Sequence, residues 1–154
     1  MTAYVKRKAA PKIPGCIDIQ VECSALSYDD LSKAPTGESS SAIRERVIKA
    51  RNIQTERFSS LPMGEGGGRG RIHCNAQMTE RMIHLYAEPD EASLDLLRMA
   101  MERPKLSARA YGRILKVART IADLEGSEKV QSMHIAEAIG YRNLDRGDWA
   151  ERGI

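Results

Sequence analysis

The fold of this chain is decided by residues 105–126, KLSARAYGRILKVARTIADLEG. At 100° per residue, the apolar side chains of this stretch cover about half of the helical circumference, as in a helix that is buried along one face. Ser107 is placed to cap the start of the helix, and Gly126 tolerates the left-handed backbone that commonly follows a helix end. The sequence therefore predicts one long amphipathic helix with both ends marked.

The two faces of this helix are predicted to differ in polarity. The apolar face consists of Ala110, Ile114, Val117, Ile121 and Leu124, with Tyr111, Leu115, Ala118 and Ala122 beside them. The opposite arc carries Arg109, Arg113, Lys116 and Arg119, together with Gly112, Thr120 and Asp123. We refer to the four cations of this arc as the basic stripe.

Arg109 is the most informative member of the basic stripe because it lies in the first turn of the helix. The positive end of the helix dipole disfavours a cation there by about a few tenths of a kcal/mol. A cation at this position therefore points to an anion nearby. An exposed arginine paired with an ordinary carboxylate is the commoner explanation of a surface arginine. The residues alone leave both interpretations open.

Length and composition place the chain among globular proteins. It has 154 residues, of which 42% are hydrophobic and 29% charged, so one domain with a real core is expected. The formal charge of +3 permits a nucleic-acid or nucleotide partner without requiring one. No signal peptide and no apolar run long enough for a membrane span is recognisable. We expect a cytoplasmic protein with no membrane partner.

The cysteines do not predict a disulfide framework or a metal centre. Cys16, Cys23 and Cys74 are odd in number and widely spaced. His73 beside Cys74 is the only pairing that resembles a metal site, and a zinc site needs further ligands that the spacing does not supply. No bound metal is predicted.

The fold class predicted for the whole chain is mainly α, a small helical bundle with one short N-terminal β-strand. Residues 1–15 are predicted to be an irregular basic lead-in, residues 16–146 a helical domain, and residues 147–154 a charged tail. Within the domain, residues 59–76 are predicted to form a flexible glycine-rich loop. The glycines do not form a P-loop, because Gly70 is followed by Arg71 and Ile72 rather than by Lys and Ser or Thr.

The strand is predicted at residues 16–23, CIDIQVEC, where apolar and polar residues alternate. Ile17, Ile19 and Val21 would form its buried face. No second segment alternates comparably, and one strand is not a sheet. We therefore expect this chain to be a portion of something larger.

The remaining helices are predicted from periodicity and caps. A helix over residues 42–58, capped by one of the serines at 39–41, would bury Ile43, Val47, Ala50 and Phe58. Three shorter helices follow, capped in turn by Thr79, Asp90 and Ser132. Their predicted core residues are Met82, Ile83 and Tyr86, then Leu94, Leu97 and Met101, then Ile135, Ala138 and Ile139.

Several segments resemble the C-terminal region of the magnesium-chelatase-related AAA+ ATPases, the ComM and YifB group. The most specific are LSARAYGRILKVARTIADLEG and HIAEAIGYRNLD, and weaker ones are IDIQVE, GESSSAIRERVIKARNIQTERF and NAQM. The resemblance extends over residues 17–146. It implies that this region is the helical lid that follows a nucleotide-binding α/β core in ring-forming ATPases. One group of these ATPases moves DNA branches during recombination.

By this resemblance, Arg109 corresponds to the sensor-2 arginine, which approaches the γ-phosphate of ATP, and Arg113 is a weaker candidate for the same nucleotide. The cofactors implied are ATP and Mg²⁺ in the parent ATPase, with none bound tightly to this chain alone. The partners implied are the core domain of the same protein and the neighbouring subunits of a ring. For the group of ATPases that acts on DNA, the resemblance also implies DNA as a partner.

The sequence also departs from the family pattern. The family places Leu-Leu-Asp-Arg before the strand, and its arginine resembles a finger offered to the neighbouring subunit, whereas residues 12–16 of this chain are KIPGC. The arginine finger therefore cannot be assigned. Walker A and Walker B motifs are absent from the sequence, so we expect this polypeptide alone not to hydrolyse ATP.

Two other functions remain open on the sequence. A free-standing helical module could bind nucleic acid through the cations of the 44–57 helix and through Arg113, Lys116 and Arg119, although a solvated charged face is the commoner meaning of such a pattern. The residues this would use are Arg44, Lys49, Arg51, Lys116 and Arg119. An interaction or structural domain with neither ligand is the third possibility.

Overall fold

The described part of the chain is mainly helical, as predicted. The computed structural model describes residues 18–21, 23, 28, 32, 37–59, 61, 71–102 and 108–142. The helices are α1 (Ser40–Ser59), α2 (Glu80–Tyr86), α3 (Glu91–Glu102), α4 (Ala108–Glu125) and α5 (Ser132–Gly140), and a short 3-10 turn occupies Asn75–Gln77.

Helix α4 is the centre of the bundle. It packs against α1, α2, α5 and the 3-10 turn, while α3 packs against α5. Ile114 and Leu115 are each 1% exposed, and Ala118 and Ala122 are fully buried. Burying an Ile or Leu side chain stabilises a fold by about 1.5–3 kcal/mol. The long amphipathic helix predicted at residues 105–126 is thus confirmed over Ala108–Glu125 as the element around which the others pack.

The neighbours of α4 complete one hydrophobic core. The other helices contribute Phe58, Met82, Ile83, Leu97, Ile135 and Ala138, all buried. The ring of Phe58 meets that of Tyr86 edge to face, with 5.9 Å between ring centroids. A short bridge between the backbones of Pro89 and Val130 joins the α2–α3 connection to the α4–α5 connection.

The predicted helix starts and ends are largely confirmed. The N–H of Ala42 donates to the hydroxyl of Ser39 at 3.3 Å, and the N–H of Ser93 donates to Asp90 Oδ1 at 2.8 Å. Gly126 has φ of 76°, the left-handed conformation expected after α4. Thr79 stands at the N-cap of α2 without a side-chain capping bond. Ser107 lies outside the described residues.

Two predictions about the shorter helices were wrong in detail. The N-cap of α5 is Gln131 rather than Ser132, and the N–H of Gln131 donates to Nδ1 of His134 at 2.9 Å. In α3, Leu94 is 45% exposed, whereas Ser93 and Leu97 are buried. The buried face of α3 is rotated from the predicted one because α3 packs against α5 rather than directly along α4.

The apolar face predicted for α1 holds only for its second half. Ala50, Gln54 and Phe58 are buried, but Ile43 and Val47 are 42% and 40% exposed. A helix of 20 residues is about 30 Å long. In the part of the chain that the structure describes, α4 and the 3-10 turn cover only the C-terminal half of that length.

The predicted strand is described only at residues 18–21 and 23, which are not in a strand. There the N–H of Gln20 donates to the carbonyl of Tyr141 at 2.8 Å. Ile19 and Val21, predicted to be buried, are 53% and 65% exposed. The lead-in at 1–15, residues 60 and 62–70 of the loop predicted at 59–76, and the tail at 147–154 lie outside the described residues. Of the described residues of that loop, Ser59 ends α1, and Asn75 and Ala76 belong to the 3-10 turn.

Candidate functional site

Arg109 is the second residue of α4, and its side chain is exposed. It forms no hydrogen bond or ion pair with any residue that the structure describes. The ordinary alternative, a carboxylate partner on this chain, is therefore not seen in the described part. The guanidinium is available to an anion at the N-terminal end of the helix, where the helix dipole also favours negative charge.

Arg113, one turn further along, is already engaged. Its Nη1 donates to Asp18 Oδ1 at 2.9 Å, and its side chain is 23% exposed. Nη1 of the buried Arg142 lies 3.9 Å from the same carboxylate oxygen. A phosphate contact from Arg113 would compete with Asp18, so the structure places this residue in the attachment of residues 18–20 to the bundle.

Lys116 and Arg119 are held by backbone carbonyls. Lys116 Nζ donates to the carbonyl of Ala76 at 3.0 Å. Arg119 is 2% exposed, and its guanidinium donates to the carbonyls of Ser127 and Glu128 at 2.5 and 2.8 Å. Such burial does not fit a surface contact to nucleic acid, the role that the alternative nucleic-acid function gives to Arg119.

Asp123 is the centre of a buried polar network at the C-terminal half of α4. Nη1 and Nη2 of Arg57, from α1, donate to its two oxygens, the first at 2.8 Å. Nδ2 of Asn75 donates to Oδ2 at 2.7 Å, and Nε of Arg119 donates to Oδ1 at 3.0 Å. The N–H of Asn75 donates in turn to Oε1 of Gln54 at 3.3 Å. One carboxylate thus joins α1, the 3-10 turn and α4.

The electrostatics of this network keep Asp123 ionised. Burial by itself raises the pKa of Asp123, but hydrogen bonds from Arg57 and Asn75 and the charges of Arg57 and Arg119 outweigh it. The pKa of Asp123 therefore lies below its ordinary value of 3.8. Burial lowers the pKa of Arg119, and the charge of Asp123 opposes that shift. The network is saturated with internal partners, so its arrangement favours a structural role over ligand binding.

The predicted cations of α1 lie on two sides of that helix. Arg44 and Arg51 are seven residues apart, so they share one flank, and Arg51 borders a groove. Lys49 lies on the opposite flank, in a depression that includes Ile53 and Leu124. With Arg119 buried, the structure does not bring the five predicted nucleic-acid contacts together on one surface.

The network around Asp123 is not predicted from the sequence. One signal was present, because Arg119 and Asp123 are four residues apart on one helix and this spacing favours an ion pair. Nothing in the sequence connects them with Arg57 or Asn75, which lie 66 and 48 residues before Asp123. That connection depends on how α1 and the 3-10 turn pack.

No metal centre is evident in this part of the molecule. Among the residues that the structure describes, no group of three or more His, Cys, Asp or Glu side chains is placed to hold a metal ion. Cys74 is a free thiol beside the exposed His73. None of the described helices is both long and apolar enough to span a bilayer.

Comparison with known proteins shows where this arrangement belongs. The family model of the C-terminal region of the magnesium chelatase subunit ChlI matches residues 37–142, which is more than half of the chain and includes every helix from α1 to α5. The chain belongs to the magnesium chelatase ChlI C-terminal family. Arg109 and the network around Asp123 both lie within the part of the chain that matches.

Individual relatives of this ChlI C-terminal domain match an even larger share of the chain. The competence protein ComM of Haemophilus influenzae and the protein YifB of Salmonella typhimurium are each 35% identical over 144 residues, or 93% of this chain. The protein Mb2921c of Mycobacterium bovis is 31% identical over 91% of it. The chain spans about a quarter of these relatives, 26% or 27% of their length.

Proposed function

We propose that this chain is the lid of an AAA+ ATPase related to magnesium chelatase, and that Arg109 contacts the phosphates of ATP held mainly by a core domain outside the chain. The observation that carries the proposal is the exposed Arg109 side chain in the first turn of the central helix, without a partner among the described residues. Family membership supports it, and so does the length of the relatives, which leaves room for such a core.

The chemistry of the site fits this assignment. Negative charge builds on the transferring phosphoryl group during hydrolysis, and a guanidinium fork placed beforehand stabilises that charge at little reorganisation cost. The other parts of an ATP site are expected from the core, because the sequence has no P-loop lysine with its Ser or Thr. Residues for Mg²⁺ are also expected there, so this polypeptide alone is not expected to hydrolyse ATP.

Contacts further along α4 would couple nucleotide binding at Arg109 to the position of the whole bundle. Arg113 attaches residues 18–20 to α4, and Asp123 attaches α4 to α1 and the 3-10 turn. A ligand contact that displaces Arg109 would therefore move these helices together rather than α4 alone. A nucleotide that interacts with Arg109 only in a closed arrangement shifts the lid toward closure by its differential affinity. Neighbouring subunits of a ring would sense that shift.

The test is the ATPase activity of the full-length protein that contains this chain and its core. Changing Arg109→Ala should lower kcat by about tenfold or more, because a donor to the developing charge is lost. Arg98→Ala, which removes an exposed cation from α3, is the matched control and should leave kcat within about twofold. Equal activity of Arg109→Ala and the unmodified protein would refute the assignment.

A further inference from the structure

A groove with basic rims lies between the second half of α1 and residues 71–74. It has a volume of about 420 Å³. Phe58 and Ile72 line its floor, and Arg51 and Arg71 lie on its two sides, with His73 beside Arg71. No Asp or Glu is among the described residues that line it.

Arg44, Arg51 and Arg71 have no acidic partner among the described residues, unlike Arg46 on the other side of α1. Arg46 makes two hydrogen bonds with Glu38, at 2.8 and 3.0 Å. Arg44, Arg51 and Arg71 are exposed, and none pairs with a carboxylate that the structure describes. Arg44 precedes Arg51 by seven residues, which places it on the same flank about 10.5 Å further along the helix axis. The unpaired charge therefore forms a row rather than a single point.

We propose that this flank binds the phosphate backbone of a nucleic acid, with Arg44, Arg51 and Arg71 as the phosphate contacts. These guanidinium groups form a row and are not paired with any described carboxylate. Such a row can bind a ligand whose negative charges repeat along a line, as phosphates do in a nucleic acid. Because Phe58 is 3% exposed, the floor offers no aromatic face for stacking on bases. Contacts of this kind position a nucleic acid without reading its sequence.

The groove is separate from the ATP contact proposed above. Gln54 lines the groove and accepts a hydrogen bond from Asn75, which in turn donates to Asp123. Asp123 is 14 residues after Arg109 on α4, about 21 Å along the helix axis. The groove and the Arg109 end of α4 can therefore be tested, and can fail, independently of each other.

The test is binding of the full 154-residue chain to fluorescently labelled DNA, single-stranded and duplex, measured by anisotropy at salt concentrations from about 50 to 200 mM. We expect binding that weakens with salt and is the same for unrelated base sequences. The combined variant Arg44→Gln, Arg51→Gln, Arg71→Gln should bind at least about tenfold more weakly, and the salt slope should fall by about two to three.

The matched control removes the same charge elsewhere. Arg46→Gln, Arg98→Gln, Lys129→Gln should keep the affinity within about twofold, with folding of both variants checked by circular dichroism. If the groove variant does not fold, Arg51→Gln and Arg71→Gln singly should each lower the slope by about one.

Several results would overturn the proposal. Equal losses of DNA affinity in the groove variant and the control variant would show that the effect comes from net charge rather than from this groove. Absence of binding at the lowest salt would remove the site. Displacement of DNA by poly-glutamate at equal charge concentration would indicate an acidic polypeptide as the ligand instead.

Discussion

The two ends of α4 place arginines of the same predicted stripe in opposite environments. Arg109, in the first turn, is exposed and has no described partner, whereas Arg119, near the other end, is 2% exposed and held by Asp123 and two backbone carbonyls. Helical angles predict correctly that both residues lie on the polar arc. They do not predict that α1 and the 3-10 turn cover one half of that arc.

In the proposed function, a structural arginine and a ligand-binding arginine lie at different ends of one helix. A buried cation is tolerated only when it is paired and its donors are satisfied, as Arg119 is. An exposed cation at the positive end of a helix does not stabilise that helix, and for Arg109 the proposed role is a contact to the phosphates of ATP. Changes in stability and in ATPase activity can test this separation.

Asp123→Ala should destabilise the chain by about 3–5 kcal/mol, because Arg57 and Arg119 would lose the carboxylate that compensates their burial. Equilibrium unfolding in urea measures this. Glu128→Ala, which removes an exposed carboxylate nearby, should change the free energy of unfolding by less than about 0.5 kcal/mol. Similar losses in both variants would contradict the central role of Asp123.

Acid should weaken the Asp123 end of α4 selectively. The pKa of Asp123 is lower in the folded chain than its ordinary value of 3.8, so the folded state binds fewer protons. The stabilisation is fully present above the unfolded value and is lost as the pH falls through the folded one. Urea unfolding between about pH 6 and pH 3 should show a smaller decline in Asp123→Asn than in the unmodified chain. Parallel declines would mean that other carboxylates cause the acid sensitivity.

Arg119→Lys should destabilise the chain by about 1–3 kcal/mol, even though the charge is kept. An ammonium group cannot reproduce the planar fork that reaches Asp123, Ser127 and Glu128 together, so some of these acceptors lose their donor. Thermal or urea unfolding measures the change. A variant as stable as the original would show that charge alone, and not fork geometry, matters at this end.

Arg109→Ala should have the smallest effect on folding, within about 0.5 kcal/mol, because no described contact is lost. Combined with a loss of ATPase activity in the full-length protein, this result would establish that the two ends of α4 differ in role. A large loss of stability in Arg109→Ala would instead place the residue among the structural contacts and undo the comparison.

Much of the fold could be predicted because the signals are local. Apolar periodicity located α4, and Ser39, Asp90 and Gly126 marked helix ends through bonds or backbone angles formed within a few residues. The buried face of α1 could not be predicted in full. Val47 lies on the same predicted apolar face of α1 as Ala50, but it is exposed. Periodicity shows which face of a helix is apolar, whereas burial requires another element that packs against that face.

The amino-acid sequence is enough to predict which segments become helices, where most of them begin and end, and that Arg109 lies in the first turn of the central one. The burial of Arg119, the meeting of Arg57 and Asn75 with Asp123, and the shared groove of Arg51 and Arg71 follow from packing. The difference lies in the range of the interactions. Helix periodicity and capping act over about four residues, whereas the environment of a charge depends on groups that packing brings from distant positions.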